Sequence, residues 1–222
     1  MASPFVRPYD ASLDYTNGLN VFLTTIDPSL NWEPARTIGS HLWYKPYTTL
    51  TPGTCFVLDD GSGRVVGYCI GAANTASFAQ RWRNDFTPMV DSNLIPRPGV
   101  RTGDALMERE DIKGFRSAVY GAECSMLLPW PAVLAEYPAH MHIDILPEFQ
   151  RRGLGTLLMN AFLQAVRGMG ARGVHLDMVR TNTAGRAFYT KIGFEICAQV
   201  MDGGASGDPG VDGIVMTLVK AL

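Results

Sequence analysis

The chain has 222 residues, 46% of them apolar, and a formal net charge of −2. That length bounds it to one domain, or one domain with a large insertion, and the apolar share is enough for a sizeable core. Its 19 Lys and Arg are scattered rather than striped, so it has no basic field for nucleic acid. In chain order, residues 5–9 read as a first edge strand, which Pro8 suits. Residues 13–25 read as a helix weakened by Gly18. Residues 54–59 and 64–73 flank Asp60-Gly61-Ser62-Gly63 and read as a hairpin. Residues 74–138 read as a helical insertion within one domain spanning 1–222. It should hold helices at 75–86, where Phe78, Trp82 and Phe86 recur every four residues, at 104–113 and at 131–136. A proline- and glycine-rich loop at 87–102 should complete a lid over an acceptor site.

The longest apolar stretch, 125–141, is broken by Pro129, Pro131 and Pro138, so no membrane span is expected. Cys55, Cys69, Cys124 and Cys197 lack metal-ligand spacing. With no signal-peptide pattern they are expected as thiols in a reducing, cytoplasmic compartment. Residues 140–146 read as a strand and 154–167 as a helix with one broad apolar face. Residues 174–179 read as a strand. Asn182 should cap a helix over 183–192 that Gly193 ends, and 194–200 should be a strand. The glycine-rich run 202–210 should be a mobile loop before a last strand.

Gln150-Arg151-Arg152-Gly153-Leu154-Gly155 lies between a strand and a helix start, which is a phosphate-binding geometry. The first-turn N–H groups and the helix dipole face the turn. Gly153 and Gly155 leave the backbone open to a close ligand. Arg151 and Arg152 add charge at the rim, giving a pyrophosphate cradle. A Walker loop needs Gly-Lys-Ser/Thr, and Gly155 is followed by Thr156 instead. A dinucleotide fingerprint needs a third glycine where Leu158 stands, although Asp177 sits near the position of its acidic residue.

The remaining pattern, Gln/Arg-x-x-Gly-x-Gly/Ala, resembles the acetyl-CoA loop of the GNAT N-acetyltransferase superfamily. Asn182-Thr183-Ala184, Ala187-Phe188-Tyr189 and Ile192-Gly193-Phe194 resemble that superfamily's second signature. Further blocks resemble the acetyltransferase-like C-terminal domain of animal O-GlcNAcase and its stand-alone microbial relatives. They are Cys55 to Asp60, Gly67-Tyr68-Cys69-Ile70-Gly71, Leu134 to Pro138, Ile143-Asp144-Ile145 and Phe188 to Gly193. The animal domain's glycine loop is degraded, whereas Gln150, Gly153 and Gly155 are intact here. No part of the chain resembles the glycoside hydrolase module of that enzyme.

The resemblance implies an α/β (α+β) fold: a mixed, twisted sheet of six or seven strands with helices on both faces. The strands ending at Leu146 and beginning at Val174 should run parallel and splay apart. It also implies acetyl-CoA as cosubstrate, held by Gln150, Arg151, Arg152, Gly153, Leu154, Gly155 and Thr156. Backbone groups of Ile145 and Leu146 should pair with the pantetheine amides as an added strand would. Asn182 and Tyr189 should contact the pantetheine arm, and Tyr189 should face the sulfur as leaving-group acid.

A lysine-like amine is neutral in only about one molecule in 2,500 at pH 7, a cost of roughly 4.6 kcal/mol. A base must offset it. His140, His142 and Asp144 alternate onto one strand face, and His142 or Asp144 is the expected base. Asp177 and Glu123 are lesser candidates. The acceptor is a small amine or a protein lysine. A non-catalytic acetyl-CoA-binding module is the main alternative. His140-x-His142-x-Asp144 also invites a metal hydrolase of the metallo-β-lactamase kind. That family needs a histidine where Ile145 stands, and only His41 and His175 remain.

Overall fold

The computed structural model describes residues 3–121, 130–197 and 215–222. One sheet of seven strands organises it: β1 Phe5–Pro8, β2 Phe56–Asp59, β3 Val65–Ala72, β4 Ala139–Ile145, β5 Gly173–Val179, β6 Glu195–Ile196 and β7 Val215–Ala221. The spatial order is β1-β2-β3-β4-β5-β7-β6. Every pairing is antiparallel except β4 with β5. That pair is joined only through Ala139 with Val174 and His140 with His175, after which the strands diverge. The expected mixed sheet with a parallel, splayed centre is therefore present.

Helix α1 (Ala11–Thr25) lies against β3 and β4 on one face of the sheet, and α7 (Leu154–Gly168) covers β1 to β4 on the other. Asp10 caps α1 by accepting from the Ser12 N–H. Gly18 weakens α1 by propensity but is buried there, because a Cβ would fall 2.2 Å from the Tyr44 hydroxyl oxygen. Arg7 ties this end together. It donates to both oxygens of Asp14 at 2.7 and 2.8 Å and to Asp59 at 3.1 Å. On the opposite face α7 buries Leu154, Leu158, Met159, Phe162 and Val166. Gly71 of β3 admits the Phe162 ring, since a Cβ there would sit 2.7 Å from it.

Two helices absent from the sequence reading, α2 (Ala35–Trp43) and α3 (Lys45–Leu50), pack beside α1. Within 74–138, α4 (Thr75–Arg81) runs into a π-helical turn at Trp82–Phe86, close to the expected helix. The next helix is displaced: α5 occupies Glu110–Tyr120 rather than 104–113. Residues 102–108 instead form turns, with Glu108 accepting from the Thr102 N–H and Asp104 from the Leu106 N–H. Buried Arg116 of α5 holds this irregular stretch by donating to the carbonyls of Pro96, Arg97, Val100 and Met107. Helix α6 (Pro131–Glu136) and helix α8 (Thr183–Lys191) fall close to their expected places. Strand β6 is shorter than expected, since Phe194 and Cys197 are described and lie outside it; residues 198–200 of its expected span, like Glu123, Cys124 and the 202–210 run, lie outside the described residues. Among the described residues no helix is long and apolar enough to cross a membrane.

Candidate active site

The divergence of β4 from β5 opens the site. The Leu146 N–H donates to the Val66 carbonyl, 2.9 Å away across β3. Antiparallel strands alternate the direction of their backbone groups every residue. Ile143 and Ile145 therefore turn their N–H and C=O toward the gap beyond His140. This corrects the expectation for Leu146, whose N–H is already used, and leaves Ile143 and the Ile145 N–H as the free strand edge. The Gln150 side chain donates to the Ile145 carbonyl at 2.7 Å, so its role is to fasten the cradle to β4.

The cradle turns through two left-handed residues, Arg151 at φ 60° and Gly153 at φ 78°. Arg151 carries a side chain in a region that costs a non-glycine residue energy. Gly153 is the N-cap of α7 and no side chain caps that end. The N–H groups of Leu154 and Gly155 in the first turn are thus available to an anion. Arg152 lies over the Phe149 ring with its guanidinium carbon 5.5 Å from the centroid. Gly155 has a reason beyond ligand approach: a Cβ would meet the Phe188 ring at 3.3 Å and Ile145 at 3.5 Å. It joins α7 to α8. Leu154 is buried beneath the turn, and the Thr156 N–H donates to the Gly153 carbonyl. These groups fit a pyrophosphate.

On the α1 face, His140, His142 and Asp144 do share one side of β4, joined by His175 and Asp177 of β5. A chain of hydrogen bonds fixes the histidines. The Thr75 hydroxyl donates to the Pro138 carbonyl at 2.8 Å, so its oxygen accepts from Nδ1 of His140 at 2.7 Å. Nε2 of His140 then accepts from the Tyr47 hydroxyl at 3.0 Å. The Tyr47 oxygen in turn accepts from Nε2 of His142 at 3.2 Å, which leaves a lone pair on Nδ1 of His142. Burial holds all three histidines neutral at pH 7. It depresses His140 well below its ordinary value and takes His142 and His175 to about 4.

Asp144 accepts from the Tyr68 hydroxyl at 2.5 Å. Burial raises its pKa, and the nearby hydroxyls of Tyr68 and Thr25 act against the rise. Asp177 is reached by solvent through the cleft yet crowded by protein, which pushes it up to about 6 against the hydrogen bond that Thr217 donates. Tyr189 packs edge-on to Phe194 and beside Phe188. Burial first, then the charge of Asp144, raises its pKa and keeps it protonated. Asn182 accepts from the Gly185 N–H at 2.8 Å, as a cap should.

His142, Asp144, Asp177, Asn182 and Tyr189 all line one cleft of about 470 Å³. The cradle residues lie at the edge of the same gap, at the far end of β4. Tyr47, Tyr68, Thr25 and Thr217 complete the polar floor and were not legible as site residues, since none belongs to a motif. From the 74–138 segment, Trp82, Phe115 and Ala118 reach the cleft. The donors needed for a metal do not converge. The Nε2 atoms of His140 and His142 are both engaged by Tyr47, and Asp144 accepts from Tyr68. No cluster of three His, Cys, Asp or Glu that could hold a metal ion exists among the described residues. Cys55 and Cys69 are buried, and burial pushes Cys55 to about 12 and Cys69 well above its ordinary value. Neither is a thiolate at neutral pH.

A family model described as the acetyltransferase (GNAT) family matches residues 122–194. The crystal structure of SsHAT is similar over 99% of this chain and 98% of its own, at 32% identity and a TM-score of 0.80. An agmatine N-acetyltransferase shares the fold at 17% identity and a TM-score of 0.54, with each chain fully covered. PaiA N-acetyltransferase from Thermoplasma acidophilum, solved with coenzyme A, shares it at 11% identity and 0.53, again with full coverage of both chains.

Proposed function

The chain is an acyltransferase of the GNAT acetyltransferase family, and from that premise we propose that it moves the acetyl group of acetyl-CoA directly onto a primary amine. The observation that supports this most is the meeting of three elements at one opening in the sheet. They are an uncapped helix N-terminus bearing Arg151 and Arg152, the free edge of β4 at Ile143 and Ile145, and a cleft holding Tyr189 with Asp144 and Asp177. The cradle takes the pyrophosphate. The pantetheine arm adds to the β4 edge as a short strand and brings the thioester beside Tyr189, with Asn182 at the arm's flank.

The acceptor enters as an ammonium ion. It gives one proton to the base, and the freed nitrogen lone pair attacks the thioester carbonyl carbon. The carbon–sulfur bond breaks, and the sulfur takes the proton that Tyr189 donates. The nitrogen's second proton leaves to solvent, which also restores Tyr189 and the base. Asp177 is the base that suits this best, because it lines the cleft on the strand across the gap from Asp144, where solvent reaches it, and its pKa, raised to about 6, leaves it ionised at pH 7. Asp144 and Nδ1 of His142 then hold the ammonium. No acetyl-cysteine intermediate forms, consistent with buried, protonated thiols. Helix α5 and the turn at Trp82–Phe86 act as the roof of the acceptor site. Kinship with the O-GlcNAcase domain brings no hexosaminidase chemistry, since a fold does not carry a function.

Calorimetry with acetyl-CoA, followed by an amine screen reading free CoA, tests the proposal. Binding with turnover and intersecting initial-rate lines is expected. Ping-pong kinetics would refute direct transfer. Stoichiometric binding without turnover across a broad amine panel would make the chain a binding module instead.

A further inference from the structure

The acceptor half of the cleft has a composition of its own. Its floor is supplied by the strands and carries the carboxylates of Asp144 and Asp177. Its wall comes from the segment after α1, from α2 and from α5. There Ile26, Leu30, Trp43 and Phe115 are only partly buried. The Trp43 and Phe115 rings meet edge-on with centroids 5.6 Å apart. A third carboxylate, Asp27, stands at the exposed rim, where Ser29 donates to it from both its N–H and its hydroxyl. Among the described residues that line the cleft there is no Lys or Arg.

A site with three carboxylates and no cation draws positive charge and repels acids. Two aromatic rings beside an aliphatic ledge desolvate a flat apolar body and can flank a cation. On that wall a ring of hydroxyl groups would find no partners. The whole cleft, which the thioester end of the pantetheine arm shares, is about 470 Å³, so the acceptor's part of it suits a small molecule. We propose that the acceptor is a small arylalkylamine, bound with its ammonium among Asp27, Asp144 and Asp177 and its ring against Trp43 and Phe115. This rests on the acetyl-transfer reading above and adds the substrate class to it.

The test is free-CoA release by the full chain with four probes: 2-phenylethylamine, n-butylamine, glucosamine and a lysine-containing peptide. The expected order places 2-phenylethylamine first, at least about 100-fold above glucosamine in kcat/KM, the scale of a well-used hydrophobic subsite. Trp43→Ala should raise its KM about 10-fold and reduce its preference over n-butylamine, with acetyl-CoA affinity unchanged by calorimetry. Phe115→Leu tests the same wall with a smaller change in volume. Asp27→Asn keeps the capping hydrogen bond and should lower kcat/KM about 3-fold at low salt, an effect that fades as salt screens the rim. Preference for glucosamine or for the peptide overturns the inference, as does an unchanged aromatic preference in both wall variants. If acetyl-CoA binds but 2-phenylethylamine neither reacts nor binds to the loaded protein, this inference fails and the cosubstrate reading stands. If acetyl-CoA itself does not bind, the underlying reading fails.

Discussion

Lowering the pH should switch off acetyl transfer as Asp177 takes up a proton. The active form carries an ionised base and a protonated amine, so kcat/KM rises with pH through the pKa of the base and is flat above it. Asp177 sits at about 6 and His142 at about 4. A base at 6 leaves about one-eleventh of the plateau rate at pH 5 and one-hundredth at pH 4, whereas a base at 4 leaves about nine-tenths and one-half. The two candidates therefore differ about ten-fold at pH 5. The assay is free-CoA release under saturating acetyl-CoA with the amine varied, from pH 4.5 to 8. Alkylamines stay protonated across that window, so their own ionisation adds no slope on this mechanism. Asp177→Asn should lower the plateau by roughly 10²–10⁴-fold and remove the acid limb. A wild-type midpoint near 4, or an Asp177→Asn variant that retains the limb, would refute the assignment and return the base to His142 or Asp144.

Tyr189→Phe should lower kcat by about 10–10³-fold with acetyl-CoA affinity nearly unchanged, because it removes a donor needed only as the sulfur leaves; wild-type turnover would refute that role. Arg152→Ala should weaken acetyl-CoA binding by about 1–2 kcal/mol in calorimetry, the scale of one charge-assisted contact at an exposed rim. Gly71→Ala should destabilise the fold by about 3 kcal/mol in denaturant melts, since its methyl group would sit 2.2 Å from the His140 carbonyl oxygen of the paired strand as well as 2.7 Å from the Phe162 ring. His175 is buried and neutral with a folded pKa of about 4 against an ordinary 6.5. The unfolded chain thus binds more protons between those values, and stability is full above pH 6.5 and lost as the pH falls toward 4. From this residue alone the loss at pH 5 is about 2 kcal/mol, partly offset by Asp177, whose raised pKa acts with the opposite sign.

What was legible in the sequence is what is locally encoded. Helix α7 shows because Leu154, Leu158, Phe162 and Val166 recur with helical spacing, and α8 because Asn182 caps it and Gly193 ends it at φ 88°. Helices α2 and α3 do not show because they are short and neither begins with a side-chain cap, so nothing in the sequence marks where they start. Helix α5 was misplaced for a related reason. Gly114 sits where the expected helix stops, yet the helix runs through it into open space. Arg116, which a sequence reading assigns to the surface, is the buried post that holds 96–107.

The same division runs through the site. The cradle is a property of six consecutive residues, so its turn and its charge could be read from them. Even there, Gly155 admits Phe188 as well as a ligand, which only the packing of α7 against α8 reveals. The acceptor side is assembled from β3, β4, β5, β7, α1, α3 and the wall of α2 and α5. Its controlling facts are pairwise: which hydroxyl meets which carboxylate, and which strand edge is already spent. Alternation along β4 placed His140, His142 and Asp144 on one face but could not reveal that Tyr47 ties up both Nε2 atoms or that Tyr68 holds Asp144. Those contacts span 76 to 95 residues of sequence. They turn three apparent metal donors into a hydrogen-bonded floor, while Asp177, on the strand across the gap, has its pKa raised by desolvation against the hydrogen bond from Thr217. Chemistry encoded in a turn survives translation into sequence pattern. Chemistry that depends on a pKa belongs to the neighbours that bury the group, and those neighbours are chosen by the fold.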